Sequence, residues 1–265
     1  MKILVTGANG QLGEVLKRTN PGENECIFCN KEELDITNQK ASAKLINEFK
    51  PDWIINTAAF TEVDKAEELQ ELTFKVNAEA PKNLCEILGK SGGRLLQIST
   101  DFVFNGKQSH PYSFDDNVDP ISAYGASKAQ AEKYILNYQR HIILRTSWLY
   151  SDFGKNFLNT MLELAKKNFS TNQPLKVISD QIGTPTSAYS LAYLCWEIVG
   201  SNKLEGSKSS IFHWSDSGLA SWYDFAHAIG ELSLRNGLIN KLPLIVPILS
   251  KEFNSKALRP KYSVL

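Results

Sequence analysis

The chain carries no excess of charge of either sign. Lysine plus arginine and aspartate plus glutamate each number 29 among 265 residues. No basic field for nucleic acid or an anionic membrane surface is therefore expected. Long apolar runs are missing too, so no membrane span is expected. The amino end, Met1-Lys2-Ile3-Leu4-Val5, enters a strand-like run without the basic region, long apolar core and cleavage site of a secretory leader. Cysteines are few: Cys26, Cys29, Cys85 and Cys195. Cys26 and Cys29 are three apart in a predicted strand and point to opposite faces, so free thiols in a reducing cytoplasm are expected instead of a redox pair. His110, His141, His213 and His227 lack metal-ligand spacing, and no metal site is expected from them. Repeats and low-complexity tracts are absent. What remains is a cytoplasmic globular protein handling small molecules, long enough for one α/β domain and a smaller lobe.

What is present starts at the amino end. Lys2 to Thr6 reads as an apolar strand, Gly7-Ala8-Asn9-Gly10-Gln11-Leu12-Gly13 as a glycine loop, and Gln11 to Arg18 as a helix with Leu12, Val15 and Leu16 inward. The glycines permit a tight turn and let backbone N–H groups approach a pyrophosphate, which the helix N-terminus favours. A structural glycine turn is the bland alternative; the flanking strand and helix argue for dinucleotide binding. Past the second strand (Cys26 to Cys29), where NAD enzymes place an acid on the ribose, stand Asn30-Lys31. A cation there tolerates a 2′-phosphate, so NADPH is expected, with NADH as the alternative. Lys31 reads equally as a solvated surface lysine.

Further on, Thr37 is a plausible N-cap for a helix to about Phe49. Strand three (Pro51 to Asn56) ends in Thr57-Ala58-Ala59-Phe60, whose small residues let a cofactor lie close. A long helix from about Val63 to Gly89 is interrupted near Asn77 to Pro81. Arg94 to Ser99 and His141 to Arg145 read as strands four and five, with a helix between them running to about Tyr138. After Arg145 come further strands near 175–178, 211–214 and 244–248, with helices at 156–167, 186–199 and 222–234. The alternation predicts an α/β fold: a Rossmann-type doubly wound parallel sheet over residues 1–147, and a smaller C-terminal substrate-binding lobe over 148–265, interleaved with it.

The chemistry concentrates between Ser99 and Lys128. Tyr124 and Lys128 lie one helical turn apart on one face. A cation near a phenol lowers the phenol pKa and makes it a proton donor and acceptor nearer neutral pH. Thr100 falls at the carboxyl end of a strand, where sites in open α/β sheets form. Taken alone, the pair is compatible with a half-exposed helix face and a solvated lysine.

Thr6-Gly7-x-x-Gly10-x-x-Gly13, Ser99-Thr100-Asp101 and Tyr124-x-x-x-Lys128, in that order, resemble an extended short-chain dehydrogenase/reductase. Asn56 to Glu67, Ser99 to Gly106, Arg145-Thr146-Ser147-Trp148-Leu149-Tyr150 and Asp180-Gln181-x-Gly183-x-Pro185-Thr186 resemble the dTDP-4-dehydrorhamnose reductase family over nearly the whole chain. The resemblance implies NAD(P)H-dependent reduction of a nucleotide-linked 4-keto sugar by a monomer or homodimer. It implies Thr100, Tyr124 and Lys128 as the catalytic set. It implies Gly7, Asn9, Gly10, Gln11, Leu12, Asp35, Ile36, Ala58, Ala59 and Lys128 at the cofactor, and Trp148 with the Thr61 to Val63 stretch at the sugar. Arg259, in a terminal Arg259-Pro260, is expected to hold the substrate diphosphate through paired hydrogen bonds; a solvated residue on a tail is the alternative. Phe102 stands where the family often has Tyr. Tyr189 stands where some members have a Glu used in a magnesium-linked dimer, which makes magnesium doubtful, and relatives continue past Leu265. The fold is also compatible with a non-catalytic regulatory subunit resembling that of methionine adenosyltransferase, or with a nucleotide-sugar epimerase or dehydratase.

Overall fold

The computed structural model describes residues 1–171, 173–201 and 210–265. In chain order its elements are β1 (Lys2–Thr6), α1 (Gln11–Arg18), β2 (Glu25–Cys29), α2 (Gln39–Phe49), β3 (Trp53–Asn56), α3 (Val63–Glu68), α4 (Gln70–Phe74), α5 (Ala80–Ser91), β4 (Arg94–Thr100), α6 (Ala123–Ile135), β5 (His141–Thr146), β6 (Leu149–Tyr150), α7 (Phe157–Thr171), β7 (Leu175–Ile178), β8 (Ile182–Gly183), β9 (Thr186–Ser187), α8 (Ala188–Gly200), β10 (Ser210–His213), β11 (Ala220–Ser221), α9 (Trp222–Arg235) and β12 (Ile245–Ile248).

The main sheet runs β2-β1-β3-β4-β5-β10, and every pairing in it is parallel. Strand order reverses between β1 and β3, which opens a crevice at their carboxyl ends. The strands are near-continuous apolar runs because both faces are covered. Alternate residues serve opposite layers. Ile3 and Val5 pack with Leu12, Val15, Leu16, Leu191 and Cys195 of α1 and α8. Leu4, Ile54, Leu95 and Ile143 pack with Ile46, Leu84, Leu88 and Ile135 of α2, α5 and α6. β10 comes late in the chain yet pairs with β5, so the second half contributes to the first domain's sheet. The smaller lobe has its own core, in which Met161, Leu175, Val177, Ala226, Ile229 and Ile245 join α7, α9, β7 and β12.

Two local expectations need correction. The N-cap of α2 is Asn38, whose Oδ1 accepts from Ala41 N–H at 3.1 Å; the Thr37 hydroxyl instead donates to Asp35 Oδ1 at 2.8 Å. α6 ends at Ile135, because the chain must already turn into β5, and the Tyr138 hydroxyl donates to the Gly93 carbonyl at 2.5 Å. The interruption in the long helix is a break at Leu69 followed by a π-turn, Lys75–Glu79, before α5 with Pro81 in its first turn.

Candidate active site

The glycine loop folds as the spacing predicts. Gly7 has φ 71°, and a Cβ there would meet the Ala58 backbone at 2.7 Å, so glycine is required both for the turn and for the approach of β3's end. Gly10 at the N-cap brings no side chain, which leaves the first N–H groups of α1 without a side-chain cap. Asn9 and Gly10 are exposed at this rim. Leu12 is 5% exposed and belongs to the core, so its backbone alone can serve a ligand. The Gln11 side chain is turned to the lobe: its Nε2 donates to the Leu149 carbonyl (3.1 Å) and its Oε1 accepts from Asn156 Nδ2 (2.7 Å). The side chain is therefore engaged by the lobe, and only the backbone of Gln11 is left for the expected cofactor contact.

At the end of β2 the Asn30 carboxamide accepts from the N–H groups of Glu32 (2.8 Å) and Glu33 (3.0 Å), closing a turn. Lys31 is exposed beside it. Burial raises the Asp35 pKa, but hydrogen bonds from Thr37 and the charges of Lys31 and Lys75 outweigh this and hold it below its ordinary value. The sequence reading overlooked Lys75, a second cation at this rim. It also overlooked Glu33, whose Oε2 accepts from the Asn30 N–H at 2.8 Å. Ile36 is buried, and Ala58 and Ala59 are half-buried beyond β3.

Thr100 ends β4 and faces the helix that carries Tyr124. Its Oγ1 donates to Asp101 Oδ1 at 3.0 Å and accepts from Phe102 N–H at 3.2 Å. The Ser122 hydroxyl caps α6 by accepting from Gly125 N–H (3.2 Å), which sets Tyr124 in the first turn. The Phe102 ring meets Tyr124 edge-on, with centroids 5.6 Å apart. Burial pushes the Tyr124 phenol up to about 12; a hydrogen bond with Thr100 pulls it down and Asp101 raises it further. Lys128 Nζ donates to the Ile98 carbonyl at 2.6 Å, and burial brings Lys128 down to about 8 while Glu132 opposes that shift.

Three more buried polar groups frame this pair. Asp101, 2% exposed, has its carboxyl pushed up to about 6 by burial, against the lowering pull of the Ser263 and Thr100 hydroxyls. Asn77, inside the π-turn, accepts from Phe60 N–H (2.7 Å) and donates to the Phe60 carbonyl (3.0 Å) and Ser127 Oγ (3.0 Å). It thereby ties the Ala58 to Phe60 turn to α6; π-turns concentrate at functional sites, and the predicted helix interruption was its signal. Glu132 accepts from Arg145 Nε (3.0 Å) and Nη2 (2.7 Å) and from Ser99 Oγ (2.5 Å). Asp101 had a signal as well, being an acid at the end of a buried strand.

Of the residues expected at the sugar, Thr61 is exposed and Val63 half-buried at the start of α3. Trp148 follows β5, whose Thr146 pairs with Thr100. Arg259 reaches the same rim but is ion-paired: its Nη2 lies 2.6 Å from Asp64 Oδ2, and its Nη1 also meets Ser255 Oγ. This pairing holds the Asp64 carboxyl well below the usual range. Tyr189 donates to Asp152 Oδ1 (3.0 Å), whose other oxygen pairs with Arg18 (3.0 Å). That carboxylate already has a cation and a donor.

The family described as RmlD substrate binding domain matches residues 1–265. The chain belongs to the dTDP-4-dehydrorhamnose reductase family. It is 37% identical over 268 residues to the dTDP-4-dehydrorhamnose reductase of Aggregatibacter actinomycetemcomitans, covering 100% of this chain and 90% of that one. The crystal structure of a dTDP-4-dehydrorhamnose reductase from Clostridium acetobutylicum is similar with TM-score 0.89 at 42% identity, covering 100% of this chain and 90% of that one. The Bacillus anthracis reductase, solved in complex with NADP, gives TM-score 0.91 at 35% identity, covering 100% and 89%.

Proposed function

We propose that this chain catalyses the NAD(P)H-dependent reduction of the C4 ketone of dTDP-4-dehydro-L-rhamnose to dTDP-L-rhamnose. The reaction belongs to cytoplasmic nucleotide-sugar and cell-surface polysaccharide biosynthesis. What supports this reading is the hydrogen bond between Thr100 and Tyr124 at the end of β4, with Lys128 held on the Ile98 carbonyl of the same strand, in a chain matching such reductases along its whole length. The loop suits a dinucleotide: Gly7 lets it close against the Ala58 backbone, Gly10 adds no side chain at the start of α1, and Lys31 and Lys75 supply cations at the ribose end. NADPH, held by the glycine loop, would supply the hydride for C4.

The protein's own part is orientation and proton supply. A phenol held near 12 is fully protonated at neutral pH, so Tyr124 starts as an acid. Its proton passes to the ketone oxygen as negative charge develops there, and the Thr100 hydroxyl shares that oxygen. Lys128, held near 8, holds the nicotinamide ribose and places a positive charge behind Tyr124 when the phenolate forms. Thr61, Val63 and Trp148 bound the sugar.

The test is turnover of a panel of dTDP-, GDP- and UDP-linked 4-keto sugars, followed by nicotinamide absorbance. We expect one NADPH consumed per dTDP-4-dehydro-L-rhamnose, and Tyr124→Phe to lower turnover about a hundredfold or more with folding intact. An epimerase or dehydratase would show no net consumption. A regulatory subunit would show no oxidation and would co-purify with a methionine adenosyltransferase.

A further inference from the structure

The plane of the Trp148 indole is fixed from two sides by residues that have no role in the reaction described above. Trp148 has φ 43°, a backbone conformation that a bulky side chain adopts under constraint. One face of its ring stacks on Trp222 at a centroid distance of 3.5 Å and an interplanar angle of 4°. On another side lies Gly183: a Cβ there would come within 2.4 Å of Trp148 Cε2 and 2.6 Å of Nε1. Gly183 has no positive φ, so the ring, and not the backbone, excludes a larger residue. The Trp148 carbonyl accepts from Thr186 N–H at 3.2 Å, so the loop from Asp180 to Thr186 is moulded around this residue.

The stack is itself braced. Trp222 Nε1 donates to Gln181 Oε1 at 3.1 Å, and Gln181 Nε2 donates to Ser250 Oγ at 3.0 Å. Asp180 Oδ1 accepts from Ser250 N–H at 2.7 Å and from its hydroxyl at 2.6 Å. Gln181 is 5% exposed, so this bridge is shielded from water. Phe157 packs on the Trp222 ring with centroids 4.6 Å apart. A ring held between a stack and a backbone cannot adjust to a different ligand by rotating.

We propose that Gly183, Trp222 and Gln181 are positioning residues that lock the Trp148 indole as a rigid wall for the sugar and thereby set which nucleotide sugars reach Tyr124. This rests on Trp148 being the sugar wall under the proposed function. The slot accounts for a glycine and a buried glutamine in a loop that touches none of the reacting groups. The bracing acts through the Trp148 ring, so its effect is expected on the nucleotide sugar.

The experiment compares Trp148→Ala, Gly183→Ala, Trp222→Leu and Trp222→Phe, measuring KM and kcat for the nucleotide sugar and KM for NADPH, with thermal midpoints alongside. Gly183→Ala and Trp222→Leu are expected to raise the sugar KM about tenfold or more, in line with the cost of small misplacements, while KM for NADPH stays at wild type. Trp222→Phe keeps a ring face and should lie nearer wild type than Trp222→Leu. If Trp148→Ala leaves the sugar KM unchanged, the sugar-wall role falls and this inference with it. If Trp148→Ala raises that KM while Gly183→Ala and Trp222→Leu do not, the slot is overturned and the sugar wall stands. Equal loss in Trp222→Phe and Trp222→Leu, or a parallel rise in both KM values with a lowered midpoint, also overturns it.

Discussion

The ammonium of Lys128 donates to the Ile98 carbonyl at 2.6 Å, so the cation of the catalytic helix is anchored to strand β4 two residues before Thr100. The same carbonyl accepts from Gln97 Nε2 at 2.8 Å. Gln97 in turn accepts from Asn56 Nδ2 (2.7 Å), and Asn56 accepts from Thr6 Oγ1 (2.6 Å). A buried polar chain thus runs across three strand ends to the lysine. Its geometry makes Lys128 a charge fixed to β4, one helical turn from Tyr124.

The pH dependence follows from the value near 8. The ammonium is lost as pH rises through about 8, so kcat/KM should fall above it with a single ionisation. The stability sign is opposite. The folded value lies below the ordinary 10.5, so charging the buried amine costs stability below about 8, and that cost fades as pH rises toward 10.5. A pH–rate profile and thermal midpoints check both; a profile flat through this region refutes the assignment of Lys128 to the ionisation.

Glu132 and Arg145 form an ion pair with side chains only 4% and 3% exposed. Removing one partner leaves the other charge buried and uncompensated. Glu132→Ala should therefore cost about 3–5 kcal/mol in denaturant unfolding. The double variant Glu132→Leu with Arg145→Met, which removes both charges, should be milder than the single. If the double is worse, packing and not charge is what the pair supplies.

Cofactor choice is carried by the rim cations. Lys31→Glu should lower kcat/KM with NADPH by about tenfold or more, the scale of about 1.5–3 kcal/mol for a hydrogen bond to a charged group. NADH turnover should change little. Steady-state kinetics with both cofactors decide it, and an equal loss for both would mean that Lys31 never meets a 2′-phosphate.

Arg259→Ala tests two roles at once. The guanidinium clasps Asp64 across 195 residues of sequence, beside the stretch expected at the sugar. Loss of the clasp should raise KM for the nucleotide sugar well beyond KM for NADPH. Asp64→Asn, which weakens the clasp but keeps the arginine, separates the roles. If it matches Arg259→Ala, the arginine works by holding the tail; if it is near wild type, the arginine serves the diphosphate directly. The Asp64 carboxyl is depressed, so the ion pair contributes fully above its ordinary value of about 4 and is lost as pH falls below it.

Short-range features were legible in the residues themselves. The strand, glycine loop and helix at the amino end, the parallel alternation, the Tyr124–Lys128 spacing and the interruption near Asn77 all depend on neighbours within a few positions. Backbone periodicity writes such features directly into the order of side chains. Tertiary structure alone decided what each functional group touches. Lys128 was paired with Tyr124 by spacing, but strand β4 offered it a carbonyl in a buried setting. Arg259 was read as free for phosphate, but the path of the chain brings Asp64 to it. Gln11 sits in the cofactor loop, yet its side chain reaches Asn156 in the lobe. Gly183 and Trp222 carry no local signal of their joint contact with Trp148, because that contact forms only when β8 and α9 are packed together. In each case burial makes an unpaired polar group or an unfilled space costly, and the nearest partner in space is set by the fold and not by the sequence around it.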